Sequence, residues 1–400
     1  MATRKDTTKG WVVDFTMSYP DGNRARIRER SPVQSRRGAE AYERELRQQE
    51  LDRWIARAHG VEVERKEVPT FAVWWSGRFW RERVIGQRNS RSERQAKECI
   101  YRCHLEQRFG SLPLDEIVWG GHVADFRATL AEMVEAEDLS VKRANNVLTP
   151  LGTALKYAVE CRVLEWAPRV GLFKLERPEI EWWELEQYAR LLEGARRLEP
   201  CWNVAVHLAG EAGLRVGEIR ALVWERDVDL IGETLTISRQ VRQGVEGPPK
   251  GRKRRTIPMT STLHEALRGL SVVRRGFVAR NEDGSALRDG QTTHAIYRVC
   301  RKAGLPERSW HVVRHTYGTH AAMFGVNPWR LMAWMGHKRI DETMRYVHVA
   351  EGHQRPLPEA LLTAGAVETD PDRRVLAMLG ARSRHHNGTA RKRESQPGGN

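Results

Sequence analysis

WHVVRHTYGTHAAMFGVNPWRLMAWMGHKRIDETMRYVH, residues 310–348, gathers His311, Arg314, His315, His337 and Tyr346 into one run. Its punctuation is helical. His311, Arg314 and His315 stand at i, i+3 and i+4, so they share one helix face. Pro328 can open a second helix and Gly336 can close it in the left-handed conformation, which sets His337 just past a C-terminus. Tyr346 follows on a separate element. Guanidinium, imidazole and phenol groups in one run suit chemistry on a phosphate, because an arginine fork donates two parallel hydrogen bonds to an anion and stays charged. Taken singly, each residue has a plainer reading. A lone histidine on an apolar helix is commonly a core residue, and a lone tyrosine commonly packs.

Upstream, 201–213 reads as a buried helix ending in glycine, and LRVGEIR (214–220) opens the next one with Arg215 and Glu218. Alone, that pair is an ordinary helix-terminal ion pair. TLTIS (234–238) and RRTIPM (254–259) alternate as strands and flank QGVEGPPKGRK, so a hairpin is expected to display Lys250, Arg252 and Lys253. A third strand is expected at 277–279 and a helix at 293–302. Beyond Gly352, PEALLTAG reads as a short helix, and the last thirty or so residues read as a mobile basic tail.

Near the other end, Trp11, Val13 and Phe15 alternate up to the turn YPDGN, and Arg24, Arg26, Arg28 and Arg30 share one face of the strand that follows. A helix is expected over 37–58. This arginine-faced module is suited to phosphates and base edges; a dimerisation or surface module is the alternative. VERKEVP (63–69) reads as a linker, followed by helices at 71–80, 92–109, 119–137 and 140–161. Arg88, Arg91 and Arg94, with Arg143, Asn145, Asn146 and Lys156, give that bundle basic faces, and its Trp and Leu residues are core.

The chain has 400 residues, too many for one ordinary core, and 67 Lys and Arg against 52 Asp and Glu, which favours a polyanionic partner. Five cysteines, an odd count, argue against a disulfide framework. Cys99 and Cys103 with His104 lack a second ligand pair, so they read as a buried helix face and no metal site is expected. No apolar run suggests a leader or a membrane span, so a reducing cytoplasm is expected.

Four ordered motifs resemble those of the tyrosine recombinases, or phage-type integrases. AGLRVGEIRAL resembles the first arginine box, HVVRHTYGTH the HxxRH box, MGHKRIDETMRYVHV the GH…T…YxH pattern, and PPKGRKRRTIPM the hairpin with the catalytic lysine. The resemblance implies catalytic roles for Arg215, Lys250, His311, Arg314, His337 and Tyr346, the last as nucleophile, with Glu218 and His315 supporting. Lys253 is a rival to Lys250, since Gly251 stands where Thr often follows the lysine. Val313 replaces the usual Leu of the HxxRH box. Residues 10–48 are similar to the arm-type DNA-binding domain of lambda-like integrases, with Arg24, Arg26 and Arg28 as expected DNA contacts; Lys253, on the hairpin, is a further expected contact.

The implied architecture is multidomain and mainly α: a small N-terminal β-sheet plus helix (1–62), an all-α core-binding domain (68–170), an α+β catalytic domain with a small antiparallel sheet (178–352) and a C-terminal segment with a basic tail (353–400). The implied activity is site-specific recombination without a cofactor. The implied partners are double-stranded DNA attachment sites, three further copies of the chain in a homotetramer, and accessory DNA-bending proteins; the segment around 357–362 is expected to dock on a neighbour. A type IB topoisomerase, a metal-dependent nuclease and a non-catalytic DNA-binding regulator stay open as other readings.

Overall fold

A strand whose alternate residues are apolar must lay one face on something dry, and Gly10–Ser18 does so. It pairs antiparallel with Arg24–Arg30, Phe15 opposite Ile27, and on its other edge with Thr3–Asp6, a strand the sequence reading did not expect. Val13 and Phe15 pack against Ala39 and Leu46 of the helix Arg36–Ala58. Arg24, Arg26, Arg28 and Arg30 are exposed on the strand's far face, as the alternation requires. Arg26 is not free there: its fork closes on Asp14 at 2.9 and 3.0 Å.

The computed structural model describes residues 3–6, 10–20, 22–32, 34–58, 68–119, 121–176, 178–249, 253–270, 274–353 and 355–382. The expected linker at 63–69 lies largely outside them. The chain divides into two compact units, Met1–Glu176 and Arg177–Asn400. It is mainly helical with small antiparallel sheets, as expected. Among the described residues no helix is long and apolar enough to cross a membrane.

In the first unit a helical bundle has its own core of Phe71, Trp74, Phe79, Phe109, Leu148 and Leu151. Its first helix, Phe71–Trp74, runs on as a π-helical segment, Trp75–Ile85. Arg91–Ile100 starts at a capping box of Ser90 and Glu93. Trp119 ends the short helix Leu114–Trp119 rather than starting the next, because Gly121, at φ 76°, breaks the run before His122–Glu135. Val141–Glu160 carries Lys142, Asn146 and Lys156 exposed, but Asn145 is spent on the Phe173 backbone, through bonds of 3.0 and 2.8 Å. Cys99 and Cys103 are exposed, 3.9 Å apart. The buried helix face expected of them is corrected: the helix turns its apolar side, Ile100 and Tyr101, inward instead.

The second unit is built around Pro200–Glu211, buried continuously from Val204 to Glu211. Leu185–Arg196, Ser261–Leu270 and Trp310–Met323 pack around it. Thr234–Ile237 pairs with Arg255–Pro258, Leu235 opposite Ile257, and Val228–Asp229 adds an edge. The expected connection folds on itself, with Gln240–Arg242 and Val245–Gly247 joined by Gln243 and Gly244, both at positive φ, which is the two-residue turn that matches strand twist. The third strand expected at 277–279 is only an isolated bridge, Val223 to Phe277. The helix expected at 293–302 begins earlier, as Asp289–Lys302.

The C-terminal expectation is corrected. Residues 371–381 are not tail but a helix, Pro371–Ala381, with Val375, Met378 and Leu379 buried in the unit's core. Arg382 ends it with no exposure, its guanidinium over the Tyr188 ring at 4.2 Å and bonded to the Gly210 carbonyl and to His320 Nδ1. Burial holds His320 well below its ordinary pKa, so a neutral ring can accept that bond. Leu361, in Glu359–Ala366, is also buried in the same core, so within one chain this segment docks on its own unit.

Candidate active site

Three arginines of the second unit, Arg215, Arg314 and Arg255, converge on one buried carboxylate, Glu218. Gly213, at φ 63°, turns the chain out of Pro200–Glu211; a Cβ there would lie 2.5 Å from the Tyr317 ring. Arg215 is the N-cap of Val216–Ala221: its carbonyl accepts from the Glu218 amide at 2.8 Å, and the Glu218 carboxylate accepts from the Arg215 amide at 2.9 Å, which orients both. The Arg215 guanidinium touches Glu218 Oε1 at 3.2 Å and stays partly open to solvent. Arg314, from Trp310–Met323, is 3% exposed. Its fork donates to the Gly213 carbonyl and, at 2.6 Å, to that of Met335, and it lies 4.0 Å from Glu218. Burial and the nearby Arg215 push Arg314 down to about 9, so it remains charged at neutral pH. Burial alone would raise Glu218, but the bonds from Arg255 and the charges of Arg255, Arg314 and Arg215 outweigh it and hold the carboxyl below its usual range.

Pro328–Met335 ends at Gly336, at φ 65°, as its sequence required, and His337 turns inward. His337 Nδ1 meets Thr343 Oγ1 at 2.8 Å. Its ring stacks on Tyr346, 5.9 Å between centroids and 8° between planes. Tyr346, from Ile340–Glu351, is 3% exposed, and its hydroxyl bonds His315 Nδ1 at 2.8 Å. Of the two histidines on that helix face, it is His315 that holds the Tyr346 hydroxyl. His311 is exposed one turn earlier, with 6.3 Å between the two rings. Burial raises Tyr346, and the charges of Arg314, Arg345 and Arg215 only partly offset it.

Lys250, the expected lysine, lies outside the described residues, as do Gly251 and Arg252. Lys253 is exposed and shares an open cavity of about 570 Å³ with Arg254, Arg255, Trp329, His337 and Lys338. Arg24, Arg26 and Arg28 belong to the other unit. Two members of the cluster were missed by sequence reasoning. Thr343 was part of a quoted pattern but given no role. Arg255 hides in the KGRKRR run, where nothing local distinguishes a buried arginine from solvated neighbours.

Burial, followed by the neighbouring positive charges, lowers His315 to about 4 and His337 to about 3. Both are neutral when folded at pH 7, yet take a proton near 6.5 when unfolded. The unfolded state therefore binds more protons between those values, and stability is lost as pH falls from about 6.5 toward 4. Acidification from pH 7 to 5 should destabilise this unit by about 1–2 kcal/mol per ring. A thermal midpoint that does not move across that range contradicts the assignment of neutral rings.

Residues 181–353 match the model of the phage integrase family. The XerC-like tyrosine recombinase of Caldanaerobacter subterraneus subsp. tengcongensis is 27% identical over 252 residues, covering 52% of this chain and 62% of that protein. The integrase of Escherichia phage 186 is 29% identical over 184 residues, 45% of this chain and 48% of its own length. The match thus spans about half to three-fifths of these relatives. Among solved structures, the Tn1549 transposon integrase in complex with circular intermediate DNA superposes with a TM-score of 0.58 at 20% identity, covering 75% of this chain and all of the other. A lambda integrase dimer bound to a COC′ core site gives 0.55 at 14% identity, over 90% and 97%. At these identities the structural likeness is one of fold. Residues 181–353 of the second unit thus form a phage integrase family domain, and there the chain is similar to tyrosine recombinases.

Proposed function

We propose that this chain is a site-specific DNA recombinase that cuts and rejoins DNA through a 3′-phosphotyrosyl intermediate. One observation carries the reading: Arg215 and Arg314 flank Glu218, and His337 and Tyr346, stacked on each other, lie within electrostatic reach of both arginines. Tyr346 Oη forms a bond to phosphorus and the bond to the 5′ oxygen breaks. The 5′ hydroxyl of a partner strand later reverses the step. Arg215 and Arg314 balance the charge on the non-bridging oxygens, with His337 as a further phosphate ligand. Lys250 protonates the departing 5′ oxygen, with Lys253 its rival.

Tyr346 is buried on His315 here, so a DNA phosphate reaches it only once the ring or its helix moves. His311, exposed on the same face, is then the base that takes the phenolic proton. His311→Gln should slow cleavage about 10²–10⁴-fold, and more than His315→Gln does. The opposite ranking moves the role to His315.

The partners are DNA attachment sites, read in part by Arg24, Arg26 and Arg28, with DNA-bending proteins as accessories. Lambda integrase is solved as a tetramer on a Holliday junction, and the same assembly is proposed for this chain. The testing experiment incubates the protein with a pool of nicked duplexes of randomised core sequence. A denaturant-stable protein–DNA adduct, formed in the presence of EDTA, is the expected result. No adduct from any duplex in the pool overturns the reading.

A further inference from the structure

We infer that Arg255 is a positioning residue that neutralises Glu218, leaving the charges of Arg215 and Arg314 available to the substrate phosphate. The inference rests on the recombinase reading for its consequence, and on geometry alone for its mechanism. Arg255 stands on the strand Arg255–Pro258, behind the cluster. Its fork meets both oxygens of Glu218, Nη1 to Oε1 at 3.0 Å and Nη2 to Oε2 at 2.7 Å. This is the in-plane, two-bond match that arginine makes with a carboxylate. Its Nε donates to the Trp334 carbonyl at 2.9 Å, beside the Met335 carbonyl held by Arg314. Gly336 makes room for it, since a Cβ there would sit 3.0 Å from Arg255 Nη1. One side chain therefore ties Glu218 to the turn that aims His337.

The charges explain why such a tie is needed. Glu218 is fully buried, and a buried carboxylate takes whatever cation it can reach. Arg215 already touches Glu218 at 3.2 Å and Arg314 lies 4.0 Å away, so without Arg255 the whole carboxylate charge falls on these two arginines, which the proposed reaction needs for the phosphate. Three guanidiniums around one carboxylate leave two positive charges, which match the two negative charges of a pentacoordinate phosphoryl transition state. Removing Arg255 alone leaves one. Removing Arg255 and Glu218 together restores two.

The test uses Arg255→Met, Glu218→Gln and their combination in the full chain, each confirmed folded by its thermal midpoint. On the free protein, carbon NMR of labelled glutamate carboxyls follows Glu218, assigned by its absence in Glu218→Gln. Arg255→Met should move the Glu218 titration upward by more than about one pH unit; an unmoved titration overturns the inference. On the nicked duplex pool, Arg255→Met should slow adduct formation about 10²-fold, and the double variant should recover at least about tenfold of it. A merely structural role predicts a double variant no faster than Arg255→Met, and that result also overturns the inference. If the wild-type chain traps no DNA at all, the recombinase reading fails, while the titration still decides whether Arg255 sets the charge of Glu218.

Discussion

Tyr346→Phe should abolish the covalent protein–DNA adduct while leaving the fold and the affinity for DNA in place. The substitution removes one oxygen. In the resting arrangement that oxygen has a bond to His315 Nδ1, and the ring's stacking on His337 is untouched by its loss. The structural cost is one hydrogen bond, about 1 kcal/mol. The chemical cost is total, because phenylalanine has no atom that can bond phosphorus. Tyr317, the other phenol near Arg314 and Arg255, is fully buried against Gly213 and offers no substitute. The measurement is a denaturing gel of the trapped complex beside a binding titration on the same duplex. An adduct that survives the change removes Tyr346 from its role, and a parallel loss of binding assigns it a structural one.

The second large effect is expected of Arg314→Lys. A lysine keeps the charge, but it is a point donor where arginine is a planar fork. Arg314 is buried and uses its two terminal nitrogens on the carbonyls of Gly213 and Met335. One ammonium cannot span both, so at least one buried carbonyl loses its partner, costing about 1–3 kcal/mol. The same displacement misaims the charge that the proposed reaction needs, and cleavage should fall about 10²–10³-fold. Stability is read by denaturant unfolding and cleavage by single-turnover adduct formation. Near-normal cleavage in this variant would show that charge alone suffices and that the fork is dispensable.

Much of this was legible in the chain because it depends on local chemistry. Gly336 closes a helix wherever left-handed φ is needed and brings His337 to the end of it. Gly213 and the Arg215–Glu218 reciprocity open another helix by the same short-range logic. The alternation of Trp11, Val13 and Phe15 set an arginine face outward without knowledge of what lay beneath. Misreadings arose where long-range packing overruled composition. Residues 373–375, RRV, fell within the expected basic tail, yet Val375 and Leu379 at helical spacing found an apolar surface on the second unit and pinned Pro371–Ala381 there. Cys99 and Cys103 looked like a buried stripe, yet Ile100 and Tyr101 had the stronger claim on the core.

The sequence by itself determined the inventory of the site: which groups can bind a phosphate, which can attack it, and which helix ends present them. These follow from residue type and from spacing within a turn or two. Only the tertiary structure decided the partnerships. Arg255 bridges Glu218 and Trp334 across 37 and 79 residues, and Arg314 reaches Gly213 across 101. His315, not His311, takes the Tyr346 hydroxyl. No local pattern encodes such choices, because they are settled by which buried charges and carbonyls must be satisfied once water has been excluded from the packed core.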